Sequence, residues 1–192
     1  MKHKFDHFHF LAPFYERFIP PRNPEKIIAL ANLTGKETVL DAGGGTGRVS
    51  QFLVGIAGQI VVADQSYGML QQAQRKEKLW LVCSETEDLP LANNSFDRII
   101  MVDALHHVEN QGKTTLELWR VLKPGGLMVI EEPNIRSLDV KLIALVERLF
   151  LMRSHFLSPI QITSMFHIPH AQVTIEVDGS TSWIIVKKDG AS

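Results

Sequence analysis

Short apolar runs recur along the chain at residues 38–40, 59–63, 79–83, 98–102 and 127–130. They are nearly continuous rather than alternating, the pattern of parallel strands covered on both faces. Helical patterns fall between them, after Thr46, after Ser66, weakly around Pro90, and over 114–122. An earlier helix is predicted from Asn23 as N-cap, Pro24 in the first turn, Ile27, Ile28, Ala31 and Leu33 as its apolar face, and Gly35 as its stop. Alternating strands and helices with right-handed crossovers make a doubly wound α/β sheet. The C-terminal part differs. Residues 173–177 and 182–186 are β-type runs that flank Asp178-Gly179, a strong hairpin signal. Between sheet and hairpin, 137–153 reads as a helix with Leu138, Leu142, Leu145, Leu149 and Met152 on one face.

Composition narrows the class. A chain of 192 residues is long enough for one domain with a real core. A formal net charge of −1 gives no basic field for nucleic acid. The single cysteine, Cys83, has no partner for an internal disulfide and reads as an inert core thiol. The first residues lack the apolar core of a signal peptide, and no uncharged apolar run reaches the roughly 18 residues of a membrane span. The cytoplasm is the expected location. His3, His7 and His9 have no acidic or cysteine cluster beside them, so no metal is expected.

Candidate chemistry begins where the first strand ends. Val39-Leu40-Asp41-Ala42 runs into Gly43, Gly44, Gly45, Thr46 and Gly47. Glycine permits positive φ and lets a ligand approach the backbone. A strand, a glycine turn and a helix start together form a nucleotide site. The spacing is G-x-G-x-G, and Arg48 stands where a dinucleotide fingerprint needs its third glycine. Asp64 ends the second apolar run 23 residues after Asp41. Its carboxylate can accept from two ribose hydroxyls of any adenosine ligand.

At these residues the chain resembles the class I S-adenosylmethionine-dependent methyltransferases. The likeness continues through Asp64-Gln65-Ser66-Tyr67-Gly68-Met69-Leu70, through Glu85-Thr86-Glu87-Asp88-Leu89-Pro90 with Glu85 in place of the usual Asp, through Ala104-Leu105-His106-His107, and through Arg120-Val121-Leu122-Lys123-Pro124-Gly125-Gly126. Five motifs in order are far more specific than one glycine loop. The subgroup resembled is the type 11, ubiquinone/menaquinone-methyltransferase-like branch. The resemblance implies a Rossmann-like, mostly parallel seven-stranded sheet whose last two strands form the antiparallel hairpin. It also implies one domain over 1–192, with an N-terminal helical lid (1–34), a cofactor-binding core (35–132), and a helical cap with the hairpin (133–192).

The resemblance implies S-adenosylmethionine as cofactor. The amides of 43–47, helped by the following helix, would take the methionine carboxylate. Asp41 and Gly44 belong to that turn, and Asp41 equally serves to order it. Asp64 would hold the ribose, with Gln65 and Met69 beside it. Glu85 and Thr86 would face the adenine, Asp103 would meet the ligand's ammonium, and Tyr15 resembles a tyrosine near the methionine moiety. His106 and His107 are the candidates for a general base, against a structural role that the reading favours. The aromatic residues Phe5, Phe8, Phe10, Phe14, Tyr15 and Phe18 suit a lid or a helix packed on the sheet. The acceptor expected is a small, apolar or aromatic molecule, and a homodimer is compatible with the flanking apolar segments. Two other functions compete: a silent S-adenosylmethionine-binding module, and a nicotinamide-dependent oxidoreductase, which Arg48 and the hairpin oppose.

Overall fold

The structure, a computed structural model, describes residues 24–135 and 155–190. One seven-stranded sheet runs through them. Its strands are β1 (Thr38–Ala42), β2 (Gln59–Asp64), β3 (Trp80–Cys83), β4 (Phe96–Val102), β5 (Leu122–Pro133), β6 (Ala171–Asp178) and β7 (Thr181–Lys188). The order across the sheet is β3-β2-β1-β4-β5-β7-β6. β1 to β5 pair in parallel, and β7 pairs antiparallel to both β5 and β6. The expected sheet and hairpin are both present. The hairpin turns on Gly179-Ser180, with Gly179 at φ +55°, where a two-residue loop of this hand favours glycine.

Both faces of β1, β2, β4 and the end of β5 are buried, which explains their continuous apolar runs, whereas β3 at the sheet edge is partly exposed. Leu40, Val61, Ile99, Met101, Met128 and Ile130 point into one core. That core is closed by Leu118 and Val121 of a helix over Gln111–Val121, and by Ile162 and Phe166 beyond the sheet. Val39, Ile60, Val62 and Ile100 point into the other, against Ile27, Leu53 and Leu70. Ile27 belongs to α1 (Pro24–Ala31) and Leu70 to α2 (Tyr67–Ala73), which Ser66 caps by accepting from the Met69 amide. We call the Gln111–Val121 helix α3; Asn110 caps it through its side chain on Lys113 N–H. The short α4 (Pro159–Ser164) opens on a capping box between Ser158 and Gln161.

Three expectations change. The stretch after Thr46 forms a four-residue 3-10 turn, Ser50–Leu53, instead of an α-helix. Positive φ at Gly47 and Gly55 brackets it too closely for regular turns to propagate. No helix forms around Pro90. Cys83 is exposed, because it ends β3 at the edge of the sheet, where one flank has no covering strand. The aromatic residues before Phe18, with Tyr15, and the 137–153 segment lie outside the described residues. Within the described part, α1 packs on the sheet: Ile27 and Ala31 are buried, and Ala31 meets Val129 and Trp183. No helix among the described residues is long and apolar enough to cross a membrane.

Candidate functional site

The strand order reverses between β1 and β4. In open α/β sheets the crevice at that reversal, beyond the carboxyl ends of the strands, is where ligands bind. Residues 43–48 close one side of it and 103–107 the other. The two sides touch: a Cβ on Gly43 would lie 2.6 Å from Cβ of Ala104. Gly43, Gly45 and Gly47 adopt φ of +69°, +55° and +71°, the left-handed region that favours glycine. Gly44 has no such φ, but a Cβ there would strike the Asp41 carboxyl at 2.6 Å. Gly45 is different, since a Cβ would meet nothing nearer than Asp64 Oδ2 at 3.8 Å. The backbone is therefore open to a ligand at Gly45.

The loop's amides are engaged inside the protein. Gly43 and Gly44 N–H donate to Ala63 O at 2.8 and 3.3 Å, and Gly47 N–H donates to Gly44 O at 2.9 Å. Gly45 N–H donates to Asp64 Oδ2 at 2.9 Å. Asp64 Oδ1 accepts from Ser66 N–H at 2.7 Å. Asp64 is thus fixed by both loops it joins. Neither a row of free glycine amides nor a long helix dipole is present to hold a carboxylate at this turn.

Asp41 lies beneath the loop, buried, on the core side shared with Val39. Its Oδ2 accepts from Ser50 Oγ at 2.7 Å, so it orders the turn that follows the glycines. Burial is the main cause that pushes its pKa up to about 6, against the opposing effects of the Ser50 bond and the nearby Arg48 charge. Arg48 is 5% exposed. One guanidinium nitrogen, Nη2, lies 2.8 Å from Asp103 Oδ2 across the crevice. The other, Nη1, is buried without a hydrogen-bond partner. Asp103 holds φ +50°, unusual for a non-glycine residue, and its amide is pinned to Glu131 O at 3.0 Å.

Other candidates sit around this centre. Met69 is buried and Gln65 is exposed at the start of α2. Glu85 is exposed beyond β3. Thr86 is turned inward, its hydroxyl 3.1 Å from Thr114 Oγ1 on α3. Glu87 is also buried and accepts from the amides of Glu109 and Asn110 at 2.9 and 3.0 Å, which ties the segment after β3 to the start of α3.

His106 is buried on the β5 side of the crevice. Its Nδ1 lies 2.7 Å from Glu132 Oε2, and Glu132 Oε1 accepts from Leu105 N–H at 2.8 Å. The imidazole stacks on Phe156 at 4.5 Å between centroids. His155 N–H reaches back to His106 O at 2.7 Å, and Gln111 Nε2 donates to both Leu105 O and His155 O. His107 is tilted against His106 at 4.0 Å. Burial, and then the neighbouring His106, push its pKa down to about 3, so its imidazole is neutral at pH 7. Glu132, Phe156 and the pairing of Arg48 with Asp103 were not legible in the sequence, although Asp103 itself was a candidate. The available signal was position: Glu131-Glu132 follow the β5 apolar run directly, at the strand end that faces the crevice.

Residues 40–130 match the methyltransferase domain family, the segment that holds the glycine loop, Asp64, Asp103 and His106. Over this segment, just under half of the chain, the protein is similar to methyltransferases. Among its relatives is the ubiquinone/menaquinone biosynthesis C-methyltransferase of Coxiella burnetii, 36% identical over 116 residues, 55% of this chain and 46% of that one. A demethylmenaquinone methyltransferase of Clavibacter sepedonicus is 38% identical over 108 residues, 54% and 44% of the two chains. The chain thus spans about half the length of these relatives. In fold, the chain is similar to a SAM-dependent methyltransferase from Aquifex aeolicus, with TM-score 0.74, 20% identity and coverage of 96% and 100%. It is similar also to the [4+2]-cyclase SpnF, with TM-score 0.72, 15% identity and coverage of 88% and 80%.

The site suits the cofactor's shape and charge. An open backbone at Gly45, a fixed carboxylate at Asp64 and an orphaned guanidinium nitrogen at Arg48 match a ribose with its hydroxyls and a charged amino-acid end. Among the described residues, no group of three His, Cys, Asp or Glu is placed to hold a metal ion.

Proposed function

We propose that this protein transfers the methyl group of S-adenosylmethionine to a small-molecule acceptor by in-line displacement. The observation that carries the reading is Asp64, held by Gly45 and Ser66 amides at the mouth of the β1–β4 crevice. When bound, the cofactor supplies a sulfonium methyl and an excellent leaving group. The chain's part is alignment: Asp64 fixes the ribose, the glycine turn lets it lie against the backbone, and the two loops close on each other at Gly43 and Ala104. Holding the reactants in line supplies most of the acceleration such a reaction needs. His107, with its pKa pushed down to about 3, is a weak base, and the Glu132 bond to His106 Nδ1 ties the β4 loop to β5; we read both histidines as structural.

The relatives' printed names point to quinone precursors, and on that basis we propose an apolar or aromatic acceptor. The test is to incubate the protein with S-adenosylmethionine and a panel of hydroquinones and phenols, and to measure S-adenosylhomocysteine. Product formed with at least one acceptor supports the reading. Binding of the cofactor without turnover on any acceptor favours the second reading, a silent binding module.

A further inference from the structure

The sheet has two edges, and they are protected unequally. β3 is four residues long and follows Lys76, Glu77 and Lys78. Short strands and nearby charge are ordinary ways to keep an edge from pairing. β6 is eight residues long, pairs with β7 at every position without a bulge, and contains no proline, lysine or arginine. Its mid-strand charge, Glu176, is held by Lys26 of α1, on the opposite face of the strand from Ile175 and Val177. Among the described residues, no strand pairs with the outer side of β6.

Backbone geometry fixes which groups that edge offers. The two-residue loop Gly179-Ser180 makes Asp178 and Thr181 a hydrogen-bonded pair. Bonded and non-bonded pairs then alternate along an antiparallel ladder. Asp189 N–H donates to His170 O at 2.9 Å, in phase with that alternation. Gln172, Thr174 and Glu176 therefore turn N–H and C=O toward β7, while Val173, Ile175 and Val177 turn theirs outward. Ala171 keeps its carbonyl outward and spends its N–H on Ile168 O at 3.2 Å. The side chains of these four outward residues share one face. Val173 packs at the margin of the core, but Ile175 and Val177 are 38% and 53% exposed. The edge thus joins available backbone groups to an apolar stripe.

We infer that a second copy of this chain pairs antiparallel with β6 about a two-fold axis at Thr174, so that one continuous sheet runs through the dimer. Because the outward groups lie on alternate residues, β6 can pair with itself only by setting outward residues against outward residues. An axis at Thr174 sets Ala171 against the partner's Val177 and Val173 against the partner's Ile175, which merges the two stripes. It also sets Gln172 against the partner's Glu176, amide against carboxylate. An axis at Ile175 would make the two Glu176 carboxylates diagonal neighbours, and one at Glu176 would set them face to face, which is destabilising. An axis at Val173 would leave Val177 opposite Pro169, outside β6. The surface is self-complementary, as a two-fold interface requires. The β1–β4 crevice lies beyond β7 and β5, so both copies keep it open.

Sedimentation equilibrium of the full chain at tens of micromolar tests this. The expected mass is twice the 21.6 kDa of one chain. Ile175→Lys and Val177→Lys each place a charge on the exposed stripe and should give monomers that keep the wild-type far-ultraviolet circular dichroism. Register is read by crosslinking in a Cys83→Ser background, which removes the exposed native thiol. Thr174→Cys should form a disulfide-linked dimer on oxidation, because a non-hydrogen-bonded antiparallel pair holds its Cα atoms about 4.5 Å apart, within disulfide reach. Gln172→Cys should not, since its two copies are offset along the strands. A monomeric wild type would overturn the inference and leave the edge to a strand of another protein. A dimer that survives both lysine variants, or one crosslinked through Gln172→Cys in preference to Thr174→Cys, would overturn it as well.

Discussion

The loops after β1 and β4 face each other across one crevice, yet they treat their buried polar groups in opposite ways. At the β1 loop, Arg48 keeps a buried nitrogen without a partner, and Asp41 sits buried with a pKa pushed up to about 6. At the β4 loop, His106 and Glu132 satisfy each other at 2.7 Å, Glu132 also takes the Leu105 amide, and Phe156 covers the ring. The first loop pays for unfinished polar contacts, as a ligand site does. The second is finished internally, as a structural pin is.

The largest expected effect breaks the finished side. Glu132→Ala leaves a buried imidazole and the Leu105 amide without their acceptor. Removing one member of a buried pair typically costs about 3–5 kcal/mol, read as the loss in unfolding free energy in urea. A loss under about 1 kcal/mol would show that the β4 loop is not held by this pair.

Next comes the unfinished side. Asp41 has a native pKa of about 6 against an ordinary value of 3.8. Between those values the native state holds a proton that the unfolded chain has released. Stability therefore falls as pH rises through that window, and the cost persists above it. A gap of two units corresponds to about 3 kcal/mol. Asp41→Asn keeps an acceptor for Ser50 and removes the charge. It should exceed the wild type in stability by up to that amount at pH 7, with the advantage vanishing below about pH 4. A difference independent of pH would mean that burial does not penalise this carboxylate.

Asp64→Ala should weaken S-adenosylmethionine by about tenfold or more, since a hydrogen bond to a charged group is worth about 1.5–3 kcal/mol. An unchanged dissociation constant, measured by calorimetry with the melting curve intact, would show that the ribose is held elsewhere. The smallest effect belongs to His107→Ala. Turnover should stay within about tenfold of wild type, whereas loss of a general base costs roughly 10²–10⁴-fold. A drop of that size with cofactor affinity preserved would return the histidines to the chemistry.

The same contrast explains what could be read from the sequence. β1, β2, β4 and the end of β5 announce themselves because both faces are buried, so every position along Ile60-Val61-Val62-Ala63 is apolar. The positive-φ glycines and Asp64 follow from local rules of backbone and spacing. Glu132 was invisible because an acidic residue at a strand end reads as solvated unless its partner, 26 positions away, is known. Phe156 reaches His106 only through the return of the chain beyond the sheet. Arg48 was read as the residue that breaks a dinucleotide pattern; its pairing with Asp103, 55 positions on, depends on the two strands being neighbours. The 3-10 turn after the glycines could not be told from a helix by apolar spacing over so few residues.

We propose the crevice between β1 and β4, with Asp64 at its mouth, as a site for S-adenosylmethionine. Isothermal calorimetry of the full chain with S-adenosylhomocysteine and with NAD tests it most directly. The expected result is saturable, one-to-one binding of S-adenosylhomocysteine, lost or strongly weakened in Asp64→Ala, and no binding of NAD. Saturable binding of NAD with none of S-adenosylhomocysteine would contradict it.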